Sequence, residues 1–163
     1  MPERWQTSSG QAEGVVEPLS ELERLCAMLE DRFELDAMGR IPTRLTSGAP
    51  TPRFVFARTP LGNAWRFRED LDGTSVRDLA RLAAREPAIT REVWGHAPPE
   101  RLEPLRRVLE CTGDSIAPTR VLLLLLRDGD SEQVACYDVG DRAGWEEAVR
   151  RGCTPLGDLF VFS

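Results

Sequence analysis

The sequence predicts an α+β fold, a largely antiparallel sheet with helices packed against it. Three observations carry this expectation. Residues 53–68 alternate apolar and polar on either side of a Pro/Gly turn. Residues 121–126 are uniformly apolar and are followed by Asp128-Gly129 and a second apolar run. Between and around these runs, apolar residues recur at helical spacing behind capping residues.

The elements follow in order. Residues 1–17 are rich in Ser, Gly, Gln and Glu without periodicity and read as a disordered tail, which leaves one domain over 18–163. Ser20 and Glu23 have the spacing of a capping box, and Leu22, Leu25, Cys26 and Leu29 form the stripe of the helix behind it. Asp31 to Asp36 reads as a short extended run with Phe33 and Leu35 on one face, turned by Ala37-Met38-Gly39. A Pro/Gly/Ser/Thr-rich connection leads to Phe54 and Phe56 on one strand. Trp65 and Phe67 lie on the next, across a loop containing Pro60 and Gly62.

Thr74 or Ser75 is placed to cap a helix carrying Val76, Leu79, Leu82 and Ala83 and ending before Pro87. Ile89, Val93 and Trp94 read as a short extended piece. Pro98-Pro99-Glu100 opens another helix, in which Pro104 is tolerable only in the first turn. Val121–Leu126 reads as a strand covered on both faces, Val134–Val139 as its partner, Asp141 as the cap of a last helix, and Leu159–Phe162 as a final strand. Thr59-Pro-Leu-Gly-Asn recurs as Thr154-Pro-Leu-Gly-Asp, which the sequence explains as one turn chemistry used twice.

Composition narrows the function classes. A hydrophobic fraction of 41% and a charged fraction of 29% belong to a water-soluble globular chain, and the sequence opens on no apolar leader, so the expected location is the cytoplasm. Its longest apolar run is far short of the ~20 residues that span a bilayer. The four cysteines are widely spaced with no Cys-x-x-Cys pair, and each is expected as a buried small hydrophobe rather than a metal ligand. His96 is the only histidine, too few for a multi-histidine metal site, and reads as a loop residue. Neighbouring acids such as Glu146 and Glu147 read as solvated faces. Neither Gly-rich phosphate loop is present.

The charge distribution is more specific. Residues 37–68 hold six arginines (Arg40, Arg44, Arg53, Arg58, Arg66, Arg68) and no acid, in a chain of net charge -6; the rest therefore carries -12. Such a block can hold an anionic ligand or an acidic partner, or can pair with acids of its own chain or of a second copy. Trp65 and Phe67 beside arginines also fit a single-strand nucleic-acid platform. Their face is opposite that of Arg66 and Arg68, however, and core packing is the stronger reading of them.

The run Phe33 to Ile41, then Pro52-Arg-Phe-Val-Phe-Ala-Arg-Thr-Pro-Leu-Gly-Asn-Ala-Trp-Arg-Phe-Arg68, resembles the N-terminal region of bacterial GNAT-type N-acetyltransferases; the Ala97-Pro-Pro-Glu-Arg-Leu102 helix start is similar as well. The resemblance covers about residues 31–109. That family holds acetyl-CoA on an Arg/Gln-x-x-Gly-x-Gly/Ala loop, and no such loop follows residues 121–126 or 134–139. The resemblance therefore implies an accessory or degenerate domain, with no catalytic residue and no cofactor. The function expected is a non-catalytic domain that binds an acidic partner protein or a small anionic ligand through Arg58, Arg66 and Arg68, with Arg53 and Arg44 nearby. A homodimer through a sheet edge or through the apolar strands is a further expectation. The alternatives are an atypical acetyltransferase with arginines on the acetyl-CoA phosphates and a single-strand nucleic-acid module, the latter disfavoured by a pI near 5.0. No membrane partner is expected.

Overall fold

The computed structural model describes residues 20–90, 94, 98–111, 113, 118–129 and 131–163. Among these lie four helices and one open, five-stranded sheet in which every neighbouring pair is antiparallel, as expected. The elements are α1 (Glu21–Phe33), β1 (Phe54–Thr59), β2 (Gly62–Phe67), α2 (Gly73–Arg85), α3 (Leu102–Glu110), β3 (Thr119–Asp128), β4 (Ser131–Asp138), α4 (Arg142–Arg150) and β5 (Thr154–Phe162). The strand order is β2-β1-β5-β3-β4. Two hairpins, β1–β2 and β3–β4, are thus joined into one sheet by the last strand. The tail expected over residues 1–17, and His96, lie outside the described residues.

Both faces of the sheet are covered. On one, Phe54, Phe56, Phe160 and Phe162 pack against Leu79 and Ala83 of α2 and Leu105 and Leu109 of α3. Farther along that face, Leu122 and Leu124 meet Trp145 and Ala148 of α4 together with Trp94. On the opposite face, Val55, Ala57, Leu123 and Leu159 pack under Leu25, Cys26 and Leu29 of α1. The two faces of β1 differ for this reason: phenylalanines fill the wide three-helix side, while Val and Ala let α1 approach closely. All six residues of β1 are buried, so the alternation of residues 53–68, which by itself reads as a half-buried pair, does not leave one face of β1 to solvent. Two runs suffice to make a hairpin legible, but a helix that ends at Phe33, well before Phe54, supplies the second cover.

Other expectations shift for local reasons. The extended run at 31–36 is not formed: α1 continues to Phe33, and Glu34 closes it in the left-handed region (φ 51°), with the Leu35 N–H returning to the Glu30 carbonyl. Ser20 caps α1 through the Glu23 N–H at 3.2 Å. Asp72, rather than Thr74 or Ser75, caps α2: its carboxylate accepts from the Ser75 N–H at 3.0 Å and from the Ser75 hydroxyl at 2.6 Å. Pro104 falls in the first turn of α3, where no backbone donor is lost. The cysteine expectation fails in part, because Cys111 is exposed and Cys136 and Cys153 are half-buried; Cys26 alone is buried.

The repeated Thr-Pro-Leu-Gly segment does two different jobs. At 59–62 it is the β1–β2 turn, with the ladder closing at Thr59 opposite Gly62. At 154–157 it lies within β5, a strand flanked on both sides, where the register against β3 shifts: Leu124 faces Pro155 and Leu123 faces Gly157. A bulge at Leu156 admits the proline where a regular ladder would need its N–H.

Several carboxylates are held below their ordinary range, and acid should undo their contribution. Asp72 is depressed chiefly by the Ser75 hydroxyl, Asp36 chiefly by the Arg40 N–H, Glu34 chiefly by the Thr46 hydroxyl, and Asp70 chiefly by the Arg68 side chain. With folded pKa values below the unfolded ones, the unfolded chain binds more protons as the medium acidifies. Their contribution is whole only above about pH 5, clear of the unfolded values, and is lost as pH falls through the folded values. A melting temperature that declines below about pH 5 in the parent, and declines less steeply in Asp72→Ala, is the expected result in a thermal series.

Candidate functional site

The block of arginines does not form one surface. The register pairs Arg58 with Asn63 and Val55 with Arg66, so Arg58 lies on the three-helix face and Arg66 on the α1 face. Period two made this separation readable; the second covering helix was not. The expectation of an outward arginine side formed by Arg58, Arg66 and Arg68 is therefore corrected: Arg58 is 4% exposed and Arg66 9%.

Arg58 belongs to an internal network. Its Nε and Nη2 donate to the two oxygens of Asp158 at 2.8 and 2.5 Å, and Arg120 adds bonds to Oδ2 from Nη2 at 2.9 Å and Nε at 3.2 Å. Asp158 is fully buried, and both guanidinium groups stand over the Phe160 ring at 5.5 and 5.4 Å. Glu86, also buried, lies 4.0 Å from Arg58 and accepts the Glu100 and Arg101 N–H groups at the entry to α3. This network occupies the space between the two apolar clusters of the three-helix face. It is satisfied from within the chain, as one of the sequence readings allowed.

Arg53 and Arg68 line a small polar hollow of about 220 Å³ together with Asp70, Asp72 and Cys111. Both are engaged. Arg53 donates to the Leu109 carbonyl at the end of α3 (2.9 Å) and to Ser163 (3.2 Å); Arg68 donates to Asp70 (2.7 Å) and to the Thr51 carbonyl (3.1 Å). Two acids neutralise this hollow. Arg44 is exposed and closes its own turn onto the Gly48 carbonyl.

Arg66 differs from all of these. One terminal nitrogen donates to the neighbouring Trp65 carbonyl at 2.7 Å; the other, Nη2, is buried and has no hydrogen-bond partner among the described residues. No carboxylate forms an ion pair with Arg66 among the described residues, although Arg58, the other buried arginine, is paired with Asp158. Arg66 lines a groove of about 390 Å³ along the outer side of β2. Leu22 and Cys26 of α1 form its floor, and the turn bearing Met38, Gly39 and Arg40 forms its far wall.

That wall is fixed in place. The Asp36 carboxylate accepts from the Met38 N–H (2.9 Å), the Arg40 N–H (2.9 Å) and the Arg40 Nε (3.0 Å), and Gly39 adopts the positive φ (74°) that the turn needs. Past the turn, the Ile41 N–H bonds the Phe67 carbonyl and covers the far end of β2. The sequence brought Arg66 into view but missed Leu22, Cys26, Met38 and Arg40 as its surroundings. Leu22 and Cys26, at i and i+4, were read as plain core; their proximity to an edge strand is a tertiary fact.

Among the described residues of its lining the groove has apolar walls, two arginines and no acid, with Arg40 paired to Asp36 beside it. It can hold a carboxylate or phosphate attached to something apolar. Among the described residues, no three His, Cys, Asp or Glu side chains are grouped to hold a metal ion, and no helix is long and apolar enough to cross a membrane. No family model, curated protein or solved structure matches this chain, so the acetyltransferase resemblance of residues 31–109 stands without support and no residue role is taken from it.

Proposed function

We propose that this protein is a binding module that takes an anionic group, from an acidic partner protein or a small ligand, in the groove beside β2. Arg66 holds the anion; Arg40, already ion-paired with Asp36, only borders the groove. The single observation that carries this reading is the buried Arg66 guanidinium with an unbonded nitrogen in the lining of an apolar groove. A charge removed from water without a partner is costly, and an incoming carboxylate or phosphate supplies the missing acceptor. The volume of about 390 Å³ lies within the usual range of ligand sites. Arg58 is no longer part of the reading, since Asp158 already satisfies it.

Calorimetric titration with glutarate and with inorganic phosphate tests it. Binding by the parent and a loss of about tenfold or more in Arg66→Met, which keeps the aliphatic stem, are expected from the loss of one charge-assisted contact. Equal affinity in parent and variant would remove Arg66 from the site and the reading with it.

A further inference from the structure

Resting on that reading, we infer that the natural occupant of the groove is an extended acidic segment of a partner protein, which adds to the open edge of β2 as a sixth strand. The ladder phase supplies the first ground. The Arg68 N–H bonds the Arg53 carbonyl, so residues 62, 64 and 66 turn their backbone groups toward β1, while 63, 65 and 67 turn theirs outward. The Phe67 carbonyl is taken by Ile41 and the Trp65 carbonyl by Arg66. What remains on this edge, among the described residues, is the N–H groups of Asn63, Trp65 and Phe67 and the carbonyl of Asn63, a short template for one added strand.

The groove's lining supplies the second ground. It includes Asn63, Trp65 and Phe67 from one face of β2 as well as Ala64 and Arg66 from the other. A groove lined by both sets follows the strand edge rather than lying over one face. Met38 in this lining is 78% exposed, and Leu61, which precedes β2 in the chain, is 60% exposed.

Chemistry then selects the occupant. On the α1 face of an added strand, the residue beside Arg66 meets a guanidinium with an unbonded nitrogen and favours a carboxylate. The residue beside Ala64 meets Leu22 and Cys26 and favours an aliphatic side chain. Since these positions are two apart on β2, the segment reads acid-x-aliphatic in either direction. A second copy of this chain fits poorly, because two-fold pairing of β2 with β2 gathers Arg40 and Arg66 from both copies into one groove.

The probe is the peptide Ac-Glu-Thr-Val-Thr-Glu-NH2, which presents acid-x-aliphatic in both directions. It is compared with two singly N-methylated versions, one at Val and one at the Thr that follows it, and with glutarate. Strand addition turns alternate amides toward β2, so one methylated peptide should lose about tenfold or more in affinity while the other binds nearly as the parent does. Amide exchange at Asn63 or Trp65 should slow on binding. If both methylated peptides bind like the parent, strand addition is wrong while the anion site stands. If neither peptide nor glutarate binds, both readings fall. The lysine version, Ac-Lys-Thr-Val-Thr-Lys-NH2, should not bind; if it matches the acidic peptide, the charge assignment is overturned.

Discussion

Asp158→Asn is expected to cost about 3–5 kcal/mol of folding stability, the loss typical of a buried ion pair deprived of one partner. Asp158 is fully buried and takes four hydrogen bonds from Arg58 and Arg120. Asparagine nearly matches its shape but takes away the charge that both guanidinium groups over Phe160 share, leaving Arg58 only Glu86 at 4.0 Å. Urea unfolding of parent and variant gives the number. A companion variant separates charge from packing: replacing Arg58, Arg120 and Asp158 together with apolar residues of similar volume should be far less damaging than Asp158→Asn alone. This is the general behaviour of buried ion clusters, which are costly to break and inexpensive to replace. A loss under about 1 kcal/mol in Asp158→Asn would mean that water reaches the network and screens it.

Gly157→Ala is the second large effect. A Cβ on Gly157 would lie 1.8 Å from the Arg58 carbonyl oxygen and 2.9 Å from its carbon, both rigid backbone atoms in the adjacent strand. Side-chain adjustment cannot relieve this, so β1 and β5 must separate where Arg58 and Asp158 meet. The Trp94 indole N–H, which donates to the Gly157 carbonyl at 2.8 Å, is disturbed along with it. The expected cost is about 3 kcal/mol or more, at the upper end of what overpacking produces. The same substitution at Gly48, where nothing lies within 4 Å, meets no steric obstacle; its cost is confined to the positive φ of 87°. Thermal unfolding of the two variants side by side distinguishes steric exclusion from conformational preference.

These two positions also mark what could be seen in the sequence. The strands β1, β2, β3 and β4, the caps at Ser20 and Asp141, and the α+β class followed from alternation and capping chemistry, which act over a few residues. The extended run at 31–36 misled because Phe33 and Leu35 alternate, while Phe33 also continues the helical stripe four residues past Leu29, and burial against Ile41 decided for the helix. Nothing local announced that β5 would lie between the two hairpins. That placement turns Asp158 into the partner of Arg58, 100 residues away, and turns the second Thr-Pro-Leu-Gly segment into a bulge.

The candidate site was legible as a list of arginines but not as an arrangement. Alternation alone separated Arg58 from Arg66. Which of them would find an internal acid depended on strand order, and which would line a groove depended on α1 crossing to the β2 edge. Arg66 remained because the α1 face offers it Leu22 and Cys26 but no carboxylate.

The most direct test of the central claim is a nitrogen–proton correlation spectrum of the labelled protein titrated with glutarate, with Arg66→Met as the control. Saturable shifts confined to the Asn63–Phe67 edge, the Met38–Arg40 turn and the first turns of α1, and greatly weakened in the variant, are the expected result. Shifts centred instead on Arg53, Arg68 and Asp70, or shifts unchanged in Arg66→Met, would contradict it.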